Sequence, residues 1–224
     1  MPLTQLLKNQ TFQIMFIFYS GLMLFLGRIN HLGLRNFDDA HYAQVAKEIL
    51  TTGSVWILHF NNLPKFEKPP LPFWVMALSY KLFGVSEYSA IFPLAISGVL
   101  TVFLTYKITE LLFKDRWVAF FAAFILLFPG YFFSHSRRVT MDIILTFCVT
   151  GASFSLLKAL VNPKYYLFFG LFTAGAVLSK GLPGLIPLLI GPGYLLLTKR
   201  FKEFRNPYFV WGILIALVVR HQLD

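Results

Sequence analysis

The sequence predicts an all-α fold: a polytopic bundle of transmembrane helices, with juxtamembrane helices in its first outer loop. Three observations carry this. The 224 residues are 57% hydrophobic and only 13% charged, and mean hydropathy is +0.65; a soluble domain carries roughly a quarter charged residues. Apolar stretches of membrane-crossing length recur along the chain. The charges are also sorted. Asp38, Asp39, Glu67, Lys68, Asp142 and Lys180 fall at one end of the stretches, and Lys107, Lys114, Arg116, Lys164, Lys199, Arg200, Lys202 and Arg205 at the other.

The net charge of +10 does not point to a nucleic-acid partner. Most of the excess lies in short loops beside apolar spans, where Lys and Arg set topology. Repeated basic patches with solvated aromatics are absent. Cys148 is the one cysteine and lies in an apolar run. That argues against a disulfide or a cysteine metal site and reads as a small buried hydrophobe.

Spans are predicted over 12–29, 88–107, 117–134, 142–160, 165–179, 182–198 and 208–219. The first reads as an uncleaved span, because no small-x-small cleavage site follows it. With a cytoplasmic N-terminus the basic loops 107–116, 161–164 and 199–207 face inward, as the positive-inside rule requires. Segment 71–84 is apolar but about 14 residues long, which suits an interfacial helix better than a span. Were it a span, the later basic loops would face outward. The last span stops after about 12 apolar residues, so the chain reads as a single membrane domain over 1–224, cut from a longer protein.

Loop 30–87 is the long polar segment. Asp38 or Asp39 caps a predicted helix over 39–51, with Ala43, Ala46, Ile49 and Leu50 as its apolar stripe. Thr51-Thr52-Gly53 ends it. Ser54 to Phe60 reads as extended and Asn61-Asn62 as a turn. Pro69, Pro70 and Pro72 stiffen the backbone after Glu67-Lys68.

Each charge has a plain reading and a chemical one. Asp38-Asp39 serves a helix N-terminus or supplies a general base. Glu67-Lys68 is a surface ion pair or part of a site. Arg137 and Arg138 snorkel at an interface, yet they lie on the outer side, where an Arg pair suits an anion such as phosphate. Asp142 is an Arg partner or a second site carboxylate. Lys180 interrupts an apolar run of about 30 residues, and charges within such runs are functional by default. Gly181, Pro183 and Gly184 beside it let the backbone break. His31, His59 and His135 fall on the outer face and His41 lies close to Asp38. A divalent metal on Asp38, Glu67 and a histidine is conceivable, although no H-x-x-x-H spacing is present. Walker A, G-x-G-x-x-G and G-x-S-x-G patterns are absent.

Four stretches, Asn36-Phe-Asp-Asp-Ala-His-Tyr-Ala-Gln-Val-Ala-Lys-Glu-Ile-Leu, Phe66-Glu-Lys-Pro-Pro-Leu-Pro-Phe-Trp, Arg137-Arg-Val-Thr-Met-Asp142 and Ser179-Lys-Gly, together resemble the N-terminal half of the GT-C integral-membrane glycosyltransferases. The similarity runs over roughly 10–205. It is strongest toward dolichyl-phosphate-mannose–protein mannosyltransferases and lipid A aminoarabinose transferases. The resemblance implies transfer of a sugar from a polyprenyl-phosphate carrier to a lipid, glycan or protein acceptor. The expected place is the outer face of a bacterial-type inner membrane. Asp38 then matches the first-loop catalytic aspartate, with Asp39 beside it, and Asp142 the second acidic position. Glu67 and Lys68 match the pair near the donor phosphate, and Lys180 a basic residue after a later span. Arg137 and Arg138 would join the phosphate group, with His41 and Tyr42 in support. Two positions depart from the pattern: Asp38-Asp39 replaces a common Asp-Glu, and His41 stands where the aminoarabinose branch carries Arg. Two rival readings stand beside it: a transporter or flippase for a lipid-linked anion, which would use the same cations without a base, and a non-catalytic membrane scaffold whose charges serve only topology.

Overall fold

The structure, a computed structural model, describes residues 9–29, 33–34, 36–66 and 68–221, with side chains to residue 218. Among these residues the elements run α1 (Gln10–Leu26), α2 (Phe37–Thr52), β1 (Leu58–Phe60), β2 (Leu63–Lys65), α3 (Leu71–Phe83), α4 (Glu87–Phe113), α5 (Arg116–Leu126), α6 (Gly130–His135), α7 (Asp142–Ala159) and α8 (Tyr165–Lys180). A 3₁₀ turn (Leu182–Leu185), α9 (Ile186–Leu197), a second 3₁₀ turn (Phe201–Arg205) and α10 (Pro207–His221) follow.

The all-α expectation holds apart from one small hairpin. By length and composition, α4 and α7 can cross a membrane, and several other apolar helices are shorter. Two predicted spans are broken. The 117–134 segment divides after Leu126, because Pro129 has no N–H to donate and disfavours helical backbone at Phe128; α6 restarts at Gly130. The 182–198 segment opens as a 3₁₀ turn around Pro183 before α9. In contrast, α4 runs on to Phe113, well past the predicted end at 107, and is 27 residues long.

Helix boundaries follow local chemistry. The Asn9 side chain accepts from the Thr11 N–H at 2.9 Å and caps α1. Ser86 and Ser89 form a reciprocal capping box at the start of α4. Asp115 caps α5. Asn36, not Asp38 or Asp39, holds the N-cap position of α2. Asn and Asp share this preference, so composition did not separate them. Both aspartates therefore stand inside the first turn, where the helix dipole favours them. Gly53, at φ 69°, closes α2 with its N–H on the Ile49 carbonyl, as expected.

Layers of α4 organise the bundle. The helices α1, α5 and α7 pack on α4, and α3 lies between α2 and α4. Phe25, Phe73, Met76, Ile91 and Leu94 are fully buried in this larger core. A second cluster joins α7, α8 and α10 through Leu156, Tyr166, Phe169 and Phe209. At one end of the bundle Glu110 gathers Gln10 (2.6 Å), Lys107 (3.0 Å) and Arg116 (3.9 Å), tying the start of α1 to the end of α4. Helix α3 spans only about 20 Å, too short for a hydrocarbon core of roughly 30 Å. It supports the segment before it: Tyr80 Oη donates to the Ala43 carbonyl at 3.3 Å, and Trp74 Nε1 to the Val55 carbonyl at 2.7 Å.

The α8–α10 contact is backbone against backbone. A Cβ at Gly170 would overlap the Gly212 carbonyl, and one at Gly212 the Tyr166 carbonyl. Small residues at such crossings let helices approach closely. Gly170→Ala is expected to cost about 1–3 kcal/mol through overpacking. Thermal unfolding in detergent checks this, with Gly193→Ala as control because a Cβ there meets nothing within 4 Å.

The hairpin pairs Phe60 with Leu63 across Asn61 and Asn62, whose φ values are 53° and 63°. Asparagine tolerates this left-handed conformation, which a two-residue hairpin turn demands. Glu48 of α2 fixes the turn: its carboxylate accepts from the Asn61 and Asn62 N–H groups at 2.9 and 3.1 Å, and from Gln44 Nε2 at 2.9 Å. Burial works against the charge. The bonds from Gln44, Asn62 and Asn61, with His59 nearby, outweigh it and hold the carboxyl below its ordinary value. A group held low in the fold contributes stability above its unfolded pKa, and that stability is lost as pH falls through the folded value. Protection of the Asn61 and Asn62 amides from exchange is therefore expected to fall on acidification below the ordinary carboxylate range. Glu48→Ala should remove it at neutral pH.

Candidate active site

Four separate stretches of chain converge on one cavity of ≈ 280 Å³. Asp38, Asp39 and Tyr42 reach it from the first turns of α2, since positions three and four apart share a helix face. Lys68 reaches it from the proline-stiffened approach to α3. His135, Arg138, Val139, Thr140 and Met141 line it from the link between α6 and α7. Asp142 opens α7, and Lys180 closes α8.

Ion pairing divides these charges. Arg138 reaches Asp39 with Nε at 3.2 Å from Oδ2 and Nη2 at 3.3 Å from Oδ1, and Asp39 is 1% exposed. The fork geometry ties α2 to the α6–α7 link. Lys180 Nζ donates to Asp142 Oδ1, joining the end of α8 to the start of α7. Among the described residues the side chains of Asp38 and Lys68 make no ion pair or hydrogen bond. One carboxylate and one ammonium thus face the cavity uncommitted, beside two compensated pairs.

The α6–α7 link is clamped in place. Ser136 is fully buried against α4, where a Cβ on Gly98 would come within 2.6 Å of its Oγ. Arg137 turns away from the cavity: it donates to the Gly27 carbonyl at the end of α1, and its guanidinium lies 4.9 Å from the Phe133 ring centroid. Adjacent arginines point in different directions, so Arg138 enters the cavity and Arg137 does not. His41 also lies outside the cavity lining, with its ring 4.0 Å from that of Phe60. Glu67 and His31 fall outside the described residues. Asp142 takes Lys180 as partner, not an arginine.

His135 is the cavity residue that the sequence weighed only as a metal ligand. Its ring stacks on Tyr131 at 3.8 Å, and its Nδ1 is 2.9 Å from the Tyr131 carbonyl. Its place three residues before Arg138 was the available signal. Among the described residues no group of three His, Cys, Asp or Glu side chains is arranged to hold a metal ion.

Removing one member of the Asp39–Arg138 pair leaves a largely buried charge alone, which costs about 3 kcal/mol or more. Asp39→Ala is therefore expected to destabilise strongly, and Asp39→Leu with Arg138→Met to recover most of the loss. Thermal unfolding of the two single variants and the double variant measures the coupling.

Residues 67–221 match the family described as dolichyl-phosphate-mannose-protein mannosyltransferase. The chain is 29% identical over 173 residues to an undecaprenyl phosphate-alpha-4-amino-4-deoxy-L-arabinose arabinosyl transferase of Proteus mirabilis, covering 74% of this chain and 32% of that protein. It is 28% identical over 219 residues to the enzyme of that name from Pseudomonas paraeruginosa, covering 95% and 39%. It shares its fold with crystal structures of ArnT from Cupriavidus metallidurans. The structure bound to undecaprenyl phosphate gives a TM-score of 0.82 at 23% identity, and the apo structure 0.79 at 24%. Each alignment covers 94% of this chain and 40% of that one, so the chain spans about two fifths of the length of such relatives. Because the family match extends over more than half of its residues, the chain belongs to the dolichyl-phosphate-mannose-protein mannosyltransferase family.

Proposed function

We propose that the chain forms the catalytic part of a membrane glycosyltransferase that takes a sugar from a polyprenyl-phosphate carrier. The observation that carries this is the cavity in which Asp38 and Lys68 stand uncommitted while Asp39 and Asp142 are held by Arg138 and Lys180. Family membership and relatives named as undecaprenyl-phosphate-dependent arabinosyl transferases support the donor class. So does a fold neighbour bound to undecaprenyl phosphate.

The chemistry runs as a single displacement. The carrier chain lies in lipid and its phosphate at the interface, near Lys68. Asp38 accepts the proton of the acceptor group as that group's lone pair forms the bond to the anomeric carbon. The bond from anomeric carbon to phosphate oxygen breaks on the opposite face, and its electron pair leaves with the polyprenyl phosphate. Attack opposite the leaving group inverts the anomeric centre. The Lys68 ammonium offsets the charge growing on the phosphate, and the paired Arg138 and Lys180 line the same cavity. Tyr42 completes the wall beside Asp38. The cavity lies on the face away from the basic loops, so the reaction belongs on the outer side of the membrane.

A transporter would need the cations and no base. Asp38→Asn in the full-length protein separates the two readings. It is expected to reduce sugar transfer from a labelled polyprenyl-phosphate sugar by about 10²-fold or more, with membrane insertion and donor binding retained. Near-normal turnover in that variant contradicts the assignment of Asp38 as base.

A further inference from the structure

We infer that the end of the bundle opposite the candidate active site carries a binding site for an anionic phospholipid. Helix α8 links the two ends. Its last residue, Lys180, borders the active-site cavity, while its second, Tyr166, donates from Oη to Glu203 Oε2 at 3.0 Å in the second 3₁₀ turn. Sixteen residues of helix separate these ends by roughly 22 Å.

Two adjoining cavities flank that turn and share Lys202 and Arg205 as walls. One, of ≈ 550 Å³, is otherwise apolar, lined by Leu196, Phe201 and Phe204. The other, of ≈ 330 Å³, adds polar groups from Glu203, Asn206 and Tyr208 beside Pro163 and Pro207. An acyl chain fits the first and a headgroup the second, with the two cations at the boundary where a phosphodiester would lie. Arginine grips phosphate through its fork and lysine as a point charge. Among the described residues the side chains of Lys202 and Arg205 have no ion-pair or hydrogen-bond partner. Glu203 is the sole acid between 199 and 208, and its carboxylate is tied to Tyr166. Lys199 and Arg200 add positive potential beside the groove.

Charge complementarity selects the occupant. Two uncompensated cations against an apolar wall favour a lipid of net negative charge over a zwitterionic one, since a basic residue at an anionic surface is worth about 1 kcal/mol. The inference rests on the bundle sitting in a bilayer and is independent of sugar transfer.

Electron spin resonance of the full-length protein in phosphatidylcholine vesicles tests it, with spin-labelled phosphatidylglycerol or spin-labelled phosphatidylcholine as the probe. The protein is expected to immobilise the phosphatidylglycerol probe preferentially. Lys202→Gln with Arg205→Gln should lower that preference about threefold or more, leaving the phosphatidylcholine probe unchanged. Leu196→Asn should weaken retention of the phosphatidylglycerol probe without altering charge. Lys107→Gln with Lys114→Gln, outside the groove, should leave the preference near normal. No preference in the unaltered protein, as when another segment of the chain fills the groove, overturns the proposal. An equal loss from the two pairs of substitutions also overturns it, because general surface potential would then be the cause.

Discussion

Two ion pairs hold the architecture of the site together. Arg138 with Asp39 joins the α6–α7 link to α2, and Lys180 with Asp142 joins α8 to α7. Neither pair is local: the first closes a separation of 99 residues and the second one of 38. Asp39 is buried and would be costly alone, so Arg138 must reach it for the chain to pack, whereas the Lys180–Asp142 pair is more exposed. Once both pairs form, α2, the α6–α7 link with the start of α7, and the end of α8 have a fixed meeting point. Asp38 and Lys68 are the charges that this neutralisation leaves facing the cavity.

The rest of the molecule serves that meeting point through rigidity. Gly98 lets Ser136 pack closely against α4, and Arg137 fastens the same link to the end of α1. The link therefore cannot rotate freely, and Arg138 is aimed. On the other side Glu48 fastens the hairpin to α2, and Tyr80 and Trp74 fasten α2 and its following segment to α3. The proline run then delivers Lys68. Rigid supports of this kind keep reacting groups in position without reorganisation during the reaction.

Much of this was legible in the sequence where a residue's role is local. Gly53 could end α2 because only a left-handed residue closes that turn, and Asn61-Asn62 could be a turn for the same reason. The break after Lys180 was visible in Gly181 and Pro183. Asp38, Asp39, Lys68, Arg138, Asp142 and Lys180 were all candidates, and all line one cavity. Pairing was not legible. Nothing in the order Arg137-Arg138 tells which guanidinium faces the cavity and which the Gly27 carbonyl, because that is set by the packing of α1 on α4. His41 stands three residues from Asp38, near the same helix face, but its ring meets Phe60 of the hairpin, a tertiary contact that helical spacing does not show. The span over 117–134 was drawn through Pro129 because hydropathy does not register a missing N–H.

The α2 acids and the α6–α7 link share one pocket, at the end of the bundle opposite the 199–207 turn. Sided cysteine labelling measures it directly. Single cysteines at Asp38, Thr140 and Lys202, each in a Cys148→Ala background, would be exposed to a membrane-impermeant maleimide in sealed vesicles of known orientation. Positions 38 and 140 are expected to react from the same side and position 202 from the other. Labelling of 38 and 140 from opposite sides would contradict it.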